Sequence, residues 1–500
     1  MSMRRMMVQA VGLLMLVSGV AHGADRVPLT LSDAIRSAVE RNLDLKAELY
    51  NPAMQEAEYR KSRGLYNPTL SLTTSVGETT SYSLLQASRK LWSRSVQLNA
   101  GVSQVLPSGA TVSLDYENSY LSSDQTAAAV GLSSYWDSTL GLTLSQPLLK
   151  NFGREATELT IEVARLGKDA TLEKLQSRLM TLVTQVRTEY FKLYSLQREQ
   201  EVARVSLELA RRILSETQAR VVAGVLPAME ILNAQYGVAS REKELIDAER
   251  AVTDQSDLLR QLVQLEVLGV LEAVDQPLTS RYGTSEQEEV GRALANRPEL
   301  KELQRNRDAA ELQARVADNR TRPDLNLTAS AAASGLGESY SRDMDRLGSG
   351  NYPAWGVGLT FSYPLGNSAA ENEYRKNRLK SDQLSVQIRN QQELIVNEVR
   401  AALRAIEANF KLLEVAERGR RFAEERLNAF VRKAEVGLAT TKDVLDVEHD
   451  LATAKQNQIK AQVAYDTAVT QLWKATGVIL EQQQVRMVAP DADRLYRDVR

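Results

Sequence analysis

The chain is expected to be an α+β protein built from two tandem structural repeats, each joining alternating strands to a hairpin of very long helices. Two observations predict this. The first is an internal duplication. DLK at 44–46 returns as ELK at 299–301, NPTLSL at 67–72 as RPDLNL at 322–327, LTLSQPL at 142–148 as LTFSYPL at 359–365, and GVLPAMEILN at 224–233 as GLATTKDVLD at 437–446. Four matched blocks in the same order mark a duplicated unit. The second is a change of hydrophobic period inside each copy, from two to about 3.6. Composition agrees: aromatic residues are only 5%, and abundant Leu, Ala, Glu, Gln, Lys and Arg favour long helices over a compact core.

The elements follow in order. Residues 30–65 are expected to be helical, capped by Thr30 or Ser32 and bent or broken near Asn42 and Pro52. Asn67-Pro68 stops this helix, and alternation begins at Leu70 and Leu72. It resumes at Val96, Leu98, Ala100 and Val102, turns at Pro107-Ser108-Gly109, continues through Val112, Leu114 and Tyr116, and closes with Leu140, Leu142 and Leu144 before Pro147. From about Arg154, Leu172, Leu175, Leu179, Leu182, Val186, Tyr190 and Leu193 form a helical seam. That helix should run to about Ala223, roughly 70 residues or about 100 Å, with Gly224 as its stop. A return helix is expected from Pro227 to Val267. In the second half a helix from Ala370 to Val436, the stop Gly437 and a return helix from Thr440 to Ala475 repeat the plan. Two such hairpins bury only narrow stripes alone, which implies self-association into a larger bundle or cylinder.

The halves are unequal. Pro68 to Pro147 spans 79 positions and Pro323 to Pro364 spans 41, so the first half carries about 38 extra residues. These are expected to enlarge an external loop, with added barrel strands as the alternative. The domain plan is a leader at 1–24, a first repeat at 25–268, a connector at 269–286, a second repeat at 287–480 and a tail at 481–500.

The N-terminus carries a secretory pattern: Arg4 and Arg5, an apolar run from Val11 to Val20, and Ala21-His22-Gly23 before a mature start near Asp25. No later stretch approaches the roughly 18 to 20 apolar residues of a transmembrane helix. The exported chain is therefore either soluble or a β-barrel, whose strands escape hydropathy scans. There is no cysteine, hence no disulfide framework. With 62 basic and 64 acidic residues the charge is nearly balanced, and no basic stripe points to nucleic acid.

This arrangement resembles the TolC-type outer-membrane efflux protein family. The residues carrying the resemblance are the junctions Asn67-Pro68 and Arg322-Pro323, the segment Asn296-Arg297-Pro298-Glu299-Leu300, the strand exits Pro147 and Pro364, and the two glycine-marked turns. The resemblance implies an α+β membrane protein located in the outer membrane and reaching into the periplasm. It would be a homotrimer in which each chain gives four strands to a shared twelve-stranded barrel, continuous with a long periplasmic α-helical barrel. The implied partners are outer-membrane lipid, a periplasmic adaptor and an inner-membrane pump, proton-driven or ATP-driven. The implied role is the exit duct of a tripartite efflux or type I secretion system, without chemistry or cofactor of its own.

Asp443 and Asp446 are the leading site candidates. Two carboxylates three apart share a helical face, and in a three-fold tunnel each would form a charged ring that favours cations. Family members carry a similar acidic pair at the tunnel entrance. A local alternative exists, because Thr440-x-x-Asp443 also fits a capping box. Glu230 holds the matching first-half place, with Asn233 where the second acid would stand. Some family members lock the closed entrance with a tyrosine and an arginine; the matching positions here are Ala434 and Ala439, so that lock is absent. Gly224-Val225-Leu226 and Gly437-Leu438-Ala439-Thr440 are the expected adaptor-contact tips, with simple capping of a glycine stop as the alternative.

His449 has no neighbours at metal or triad spacing, and Arg89, Lys90 and Arg94 are expected in a loop between strands. No phosphate-binding glycine loop is present. The rival interpretation is a secreted coiled-coil structural protein of the cell envelope. An enzyme comes third, for want of a catalytic constellation.

Overall fold

The computed structural model describes residues 26–83, 89–124, 132–266, 269–485 and 494–497. The expected leader and most of the expected tail lie outside these residues. The chain divides into two compact units. One comprises the chain up to Asn42, Val183–Tyr282 and Ala405–Thr470; the other comprises Leu43–Leu182, Gly283–Arg404 and the chain from Gln471 onward.

A short strand β1 (Arg26–Leu29) precedes α1 (Leu31–Arg41) and α2 (Leu43–Arg63). Thr30 caps α1 as expected, its hydroxyl accepting from the Asp33 amide at 3.1 Å. The helix breaks at Asn42 but not at Pro52, which sits inside α2. A single 3-10 turn leads into β2 (Thr69–Ser83), followed by β3 (Arg89–Val105), β4 (Thr111–Ser123) and β5 (Ser134–Pro147). Next come the one-turn α3 (Arg154–Thr157), the unbroken 64-residue α4 (Leu159–Val222) and α5 (Met229–Val263). After β6 (Val270–Ala273) the second half runs through α6 (Glu286–Asn296), α7 (Pro298–Asn319), β7 (Asp324–Gly337), α8 (Tyr340–Gly348) and β8 (Pro353–Ser362). It ends with the 68-residue α9 (Ser368–Glu435), α10 (Thr441–Ala475) and α11 (Ile479–Gln482).

In the sheet-bearing unit, six strands form one antiparallel sheet in the order β2-β3-β4-β5-β7-β8. This corrects two expectations. The extra first-half residues form full strands of the sheet, not an enlarged loop, and the described residues supply six strands to it rather than four. Arg89, Lys90 and Arg94 accordingly belong to β3. Alternation at Val96–Val102 and Val112–Tyr116 carried this outcome, because a solvated loop has no reason to keep a two-residue apolar period.

Helices enter and leave the sheet at one end, and side chains tie the crossings together. Gln104 donates to the Tyr66 carbonyl at 3.1 Å, Asn319 to the Leu149 carbonyl at 3.3 Å, and Asn367 to the Thr321 carbonyl at 2.7 Å. Below them, Arg297 sits at the α6–α7 junction, 8% exposed, paired with Glu299 at 2.9 Å and Glu398 at 2.7 Å and donating to the Ala475 carbonyl. Proline at the first position of α7 needs no amide partner there, which fixes where that helix starts.

In the other unit, β1 pairs in parallel with β6 from the connector. Neither strand was expected. Tyr190 locks them to α4: its hydroxyl lies 2.9 Å from the Leu29 carbonyl and accepts from the Val274 and Asp275 amides, both at 3.0 Å. Burial raises the Tyr190 phenol well above its usual range. Arg187 joins α4 to α10 by an ion pair with Asp466 at 2.6 Å and a bond to Thr470 at 2.7 Å. Asp466 also accepts from the Leu278 amide at 3.0 Å, so the pair anchors the connector. Burial nonetheless pushes the Asp466 carboxyl up.

Candidate functional site

Two features of the chain can do something beyond holding it together: the face of the sheet and the tips of the helical hairpins.

Directly opposed residues in an antiparallel sheet share a face. One rung therefore runs Leu70–Val102–Leu114–Leu142–Ala331–Trp355, an apolar side chain from every strand. Leu72, Val76, Leu98, Leu140, Leu144, Leu327, Val357, Leu359 and Phe361 extend the same face. The opposite face carries Thr73–Asn99–Glu117–Thr139–Ser334. The apolar face is bare: Leu70 is 76% exposed, Val357 67% and Trp355 82%. An exposed apolar face this continuous marks contact with lipid or protein, and alternation of apolar-out with polar-in is the pattern of a membrane barrel wall. Among the described residues no helix is long and apolar enough to cross a membrane.

The apolar face ends where α8 folds onto it. Ser339 caps α8, and the Ser138 hydroxyl donates to Asp343 while accepting from Asn118 at 2.6 Å. Asn118 and Ser138 are thus two polar positions on this face that Asp343 on α8 accounts for. Gly335 and Gly337 leave room for this approach, since a Cβ at either would strike the α8 backbone. Tyr340 packs edge-on against Trp136 with centroids 5.3 Å apart, and Trp136 contacts Tyr120 at 5.0 Å, an aromatic cluster suited to a membrane interface. Sequence reasoning missed α8; its signal was the capping Ser339 before a charged segment flanked by glycines.

At the tips, both glycine stops take the left-handed conformation, with φ +74° at Gly224 and +72° at Gly437. Each closes the same motif: Val225 donates to the Arg220 carbonyl at 2.9 Å and Leu438 to the Lys433 carbonyl at 2.8 Å. Val225 and Leu438 stand 69% and 77% exposed, whereas Leu226 is half-buried. The Thr440–Asp443 capping box is complete. Thr440 Oγ1 accepts from the Asp443 amide at 3.1 Å, and the Asp443 carboxylate accepts from the Thr440 amide at 2.8 Å and hydroxyl at 2.7 Å. Those bonds hold the Asp443 carboxyl below its usual range.

Val444, Val447 and Leu451 are buried against Leu427, Leu209 and Ile213, so Asp443 and Asp446 lie off that packed face, with Asp446 exposed. Glu230 is half-buried, and one of its oxygens is enclosed without a hydrogen-bond partner among the described residues. The carboxylates do not cluster with others into a metal-holding group among the described residues.

Four contacts at this end were not anticipated. Arg220 donates to the Ala434 carbonyl at 3.0 Å, and the Thr217 and Thr441 hydroxyls meet at 3.4 Å. Arg241 on α5 bonds Glu448 at 3.1 Å and lies 2.9 Å from His449 Nδ1, which gives the otherwise solitary histidine a local partner. Sequence spacing could not find these contacts because each pairs residues more than 200 positions apart.

Comparison with known proteins gives these features a family. The chain is 26% identical over 316 residues to the outer membrane protein TolC of Vibrio cholerae serotype O1, covering 60% of this chain and 68% of that one. It is 24% identical over 309 residues to the pyoverdine export outer membrane protein OpmQ of Pseudomonas aeruginosa, covering 60% and 61%. Its fold matches the solved outer-membrane channel OprN with a TM-score of 0.66 at 16% identity, over 89% of each chain. The sequence profile of outer membrane efflux proteins matches residues 109–263 and 290–478, one stretch in each repeat, and the chain belongs to the outer membrane efflux protein family.

Proposed function

We propose that this outer-membrane protein is the exit duct of a tripartite efflux or type I secretion system, passing substrates delivered by an inner-membrane pump through a periplasmic adaptor. The observation that carries the proposal is the six-stranded sheet with one bare apolar face and two edges that pair with no other strand among the described residues. Lipid-exposed backbone cannot leave its amides and carbonyls unsatisfied. The edges of β2 and β8 therefore have to be paired by further copies of the chain, and a homotrimer is the assembly we assign. Its barrel sits in outer-membrane lipid, and its helices form the periplasmic duct.

The roles of the tips follow from their chemistry. Val225 and Leu438, bare on two equivalent turns, offer small apolar knobs for the adaptor. Gly224, Leu226, Gly437, Ala439 and Thr440 shape those turns. Asp443 and Asp446 form rings of negative charge at the duct entrance, with Glu230 on the companion hairpin. Capping by Asp443 is compatible with this role, because a capping carboxylate keeps its charge. The two repeats with their connector, at 25–268, 269–286 and 287–480, are the units of this assembly.

Conductance of the full-length protein in planar bilayers tests the proposal. Small, cation-preferring openings are expected, and the paired variant Asp443→Ala/Asp446→Ala should lose the preference. Folded protein that conducts nothing would overturn the duct.

A further inference from the structure

We infer that the outer-membrane barrel of this protein is built from eighteen strands, six from each of three copies, with the β3–β4 hairpin as an insertion that widens the wall. The inference rests on the trimeric duct proposed above and goes beyond it.

The duplicated sequence identifies which strands are extra. β2 begins in the block that returns at the start of β7, and β5 ends in the block that returns at the end of β8. In the second half these two counterparts pair directly, β7 with β8. In the first half β3 and β4 stand between them, and neither has a counterpart.

The insertion is part of the wall and not an appendage. β3 and β4 are 17 and 13 residues long, against 15 and 14 for β2 and β5. Their pairing is continuous with both neighbours, and Val96, Leu98, Val102, Val112 and Leu114 face the same way as the apolar residues of the other four strands. A hairpin lying in the lumen or above the membrane would have no reason to repeat that face at that height.

Closure is consistent in strand sense. Six alternating strands leave β2 and β8 running in opposite directions, so β8 of one copy meets β2 of the next as an antiparallel pair. Residues 69–82 of β2, and nearly every residue of β8, are exposed, whereas the inner strands are mostly half-buried. Barrel diameter grows roughly linearly with strand number, so a barrel of this size is about half again as wide as one of four strands per chain and leaves an open aqueous lumen.

The absence of native cysteine makes introduced thiols the only ones in the protein. Full-length protein in outer membranes carrying Ser71→Cys and Thr360→Cys, one on each edge strand, is treated with a flexible bismaleimide. In parallel, Val96→Cys, Gln97→Cys, Ser113→Cys and Leu114→Cys are exposed singly to a membrane-impermeant maleimide. The expected result is a covalent ladder ending at three chains, with positions 97 and 113 labelled at least about tenfold faster than 96 and 114, as an alternating wall requires.

A three-chain ladder with no alternation at these four positions would overturn the eighteen-strand wall and leave the duct standing. A ladder ending elsewhere, or no ladder, would remove the trimeric closure and the strand count with it.

Discussion

Arg220, in the last turn of α4, donates a hydrogen bond to the main-chain oxygen of Ala434, 3.0 Å away near the end of α9. The acceptor is a backbone atom, so the tie survives the loss of any particular side chain at 434.

Removing the donor should loosen the entrance. A charged hydrogen bond of this kind contributes about 1–2 kcal/mol, discounted here for partial exposure. Arg220→Ala should therefore raise the open fraction or conductance in planar bilayers, while Arg220→Lys should recover much of the closed behaviour. Unchanged gating in Arg220→Ala would show that this tie does not hold the duct shut.

Capping and pore charge can be separated at the second tip. Thr440→Ala deletes a cap worth about 1 kcal/mol and should lower thermal stability without altering ion selectivity. Asp446→Asn removes an exposed charge with no capping role and should reduce cation preference without altering stability. Reversal potentials and melting curves measured on both variants would sink the charge-ring assignment if Asp446→Asn left selectivity intact.

Close packing of α8 gives a sharp contrast between two glycines. Gly335→Ala places a methyl into the Asp343 backbone and should cost about 1–3 kcal/mol through overpacking. Gly348→Ala meets nothing within 4 Å and should be neutral. Thermal melting of the purified variants reads the difference; equal melting temperatures would mean α8 is not held against the strands.

Glu299 supplies a pH-dependent contribution to stability. Burial would raise its carboxyl, but the Ser177 hydroxyl and Arg297 outweigh that and hold it below its ordinary value of 4.5. A depressed carboxylate adds stability that is present above the unfolded value and lost as pH falls through the folded one. Glu299→Gln should thus melt lower than the parent near neutrality, with the gap closing below about pH 4.5. A gap that stays constant down to acid pH would remove Glu299 as its source.

The sequence by itself determined the local events. Period-two alternation and period-3.6 seams are written in consecutive residues, so the strands near Leu70, Val96, Val112 and Leu140 and the four long helices were legible. Gly224 and Gly437 were legible as helix stops because the left-handed turn there favours glycine. Thr30 and Thr440 were legible as caps because their partners lie three residues away. Near Pro52 the break did not occur: a proline disfavours a helix interior, yet α2 runs through it with Pro52 buried.

Only the tertiary structure decided what joins residues far apart in the chain. Sequence alternation does not say which strand lies beside which. The status of the β3–β4 hairpin as wall, the capture of β1 by β6, the seat of α8 and the Arg220–Ala434 tie all needed the fold. Periodicity reports which way a side chain faces, whereas a partner 200 residues away is chosen by the closing of the chain on itself, which no local pattern encodes.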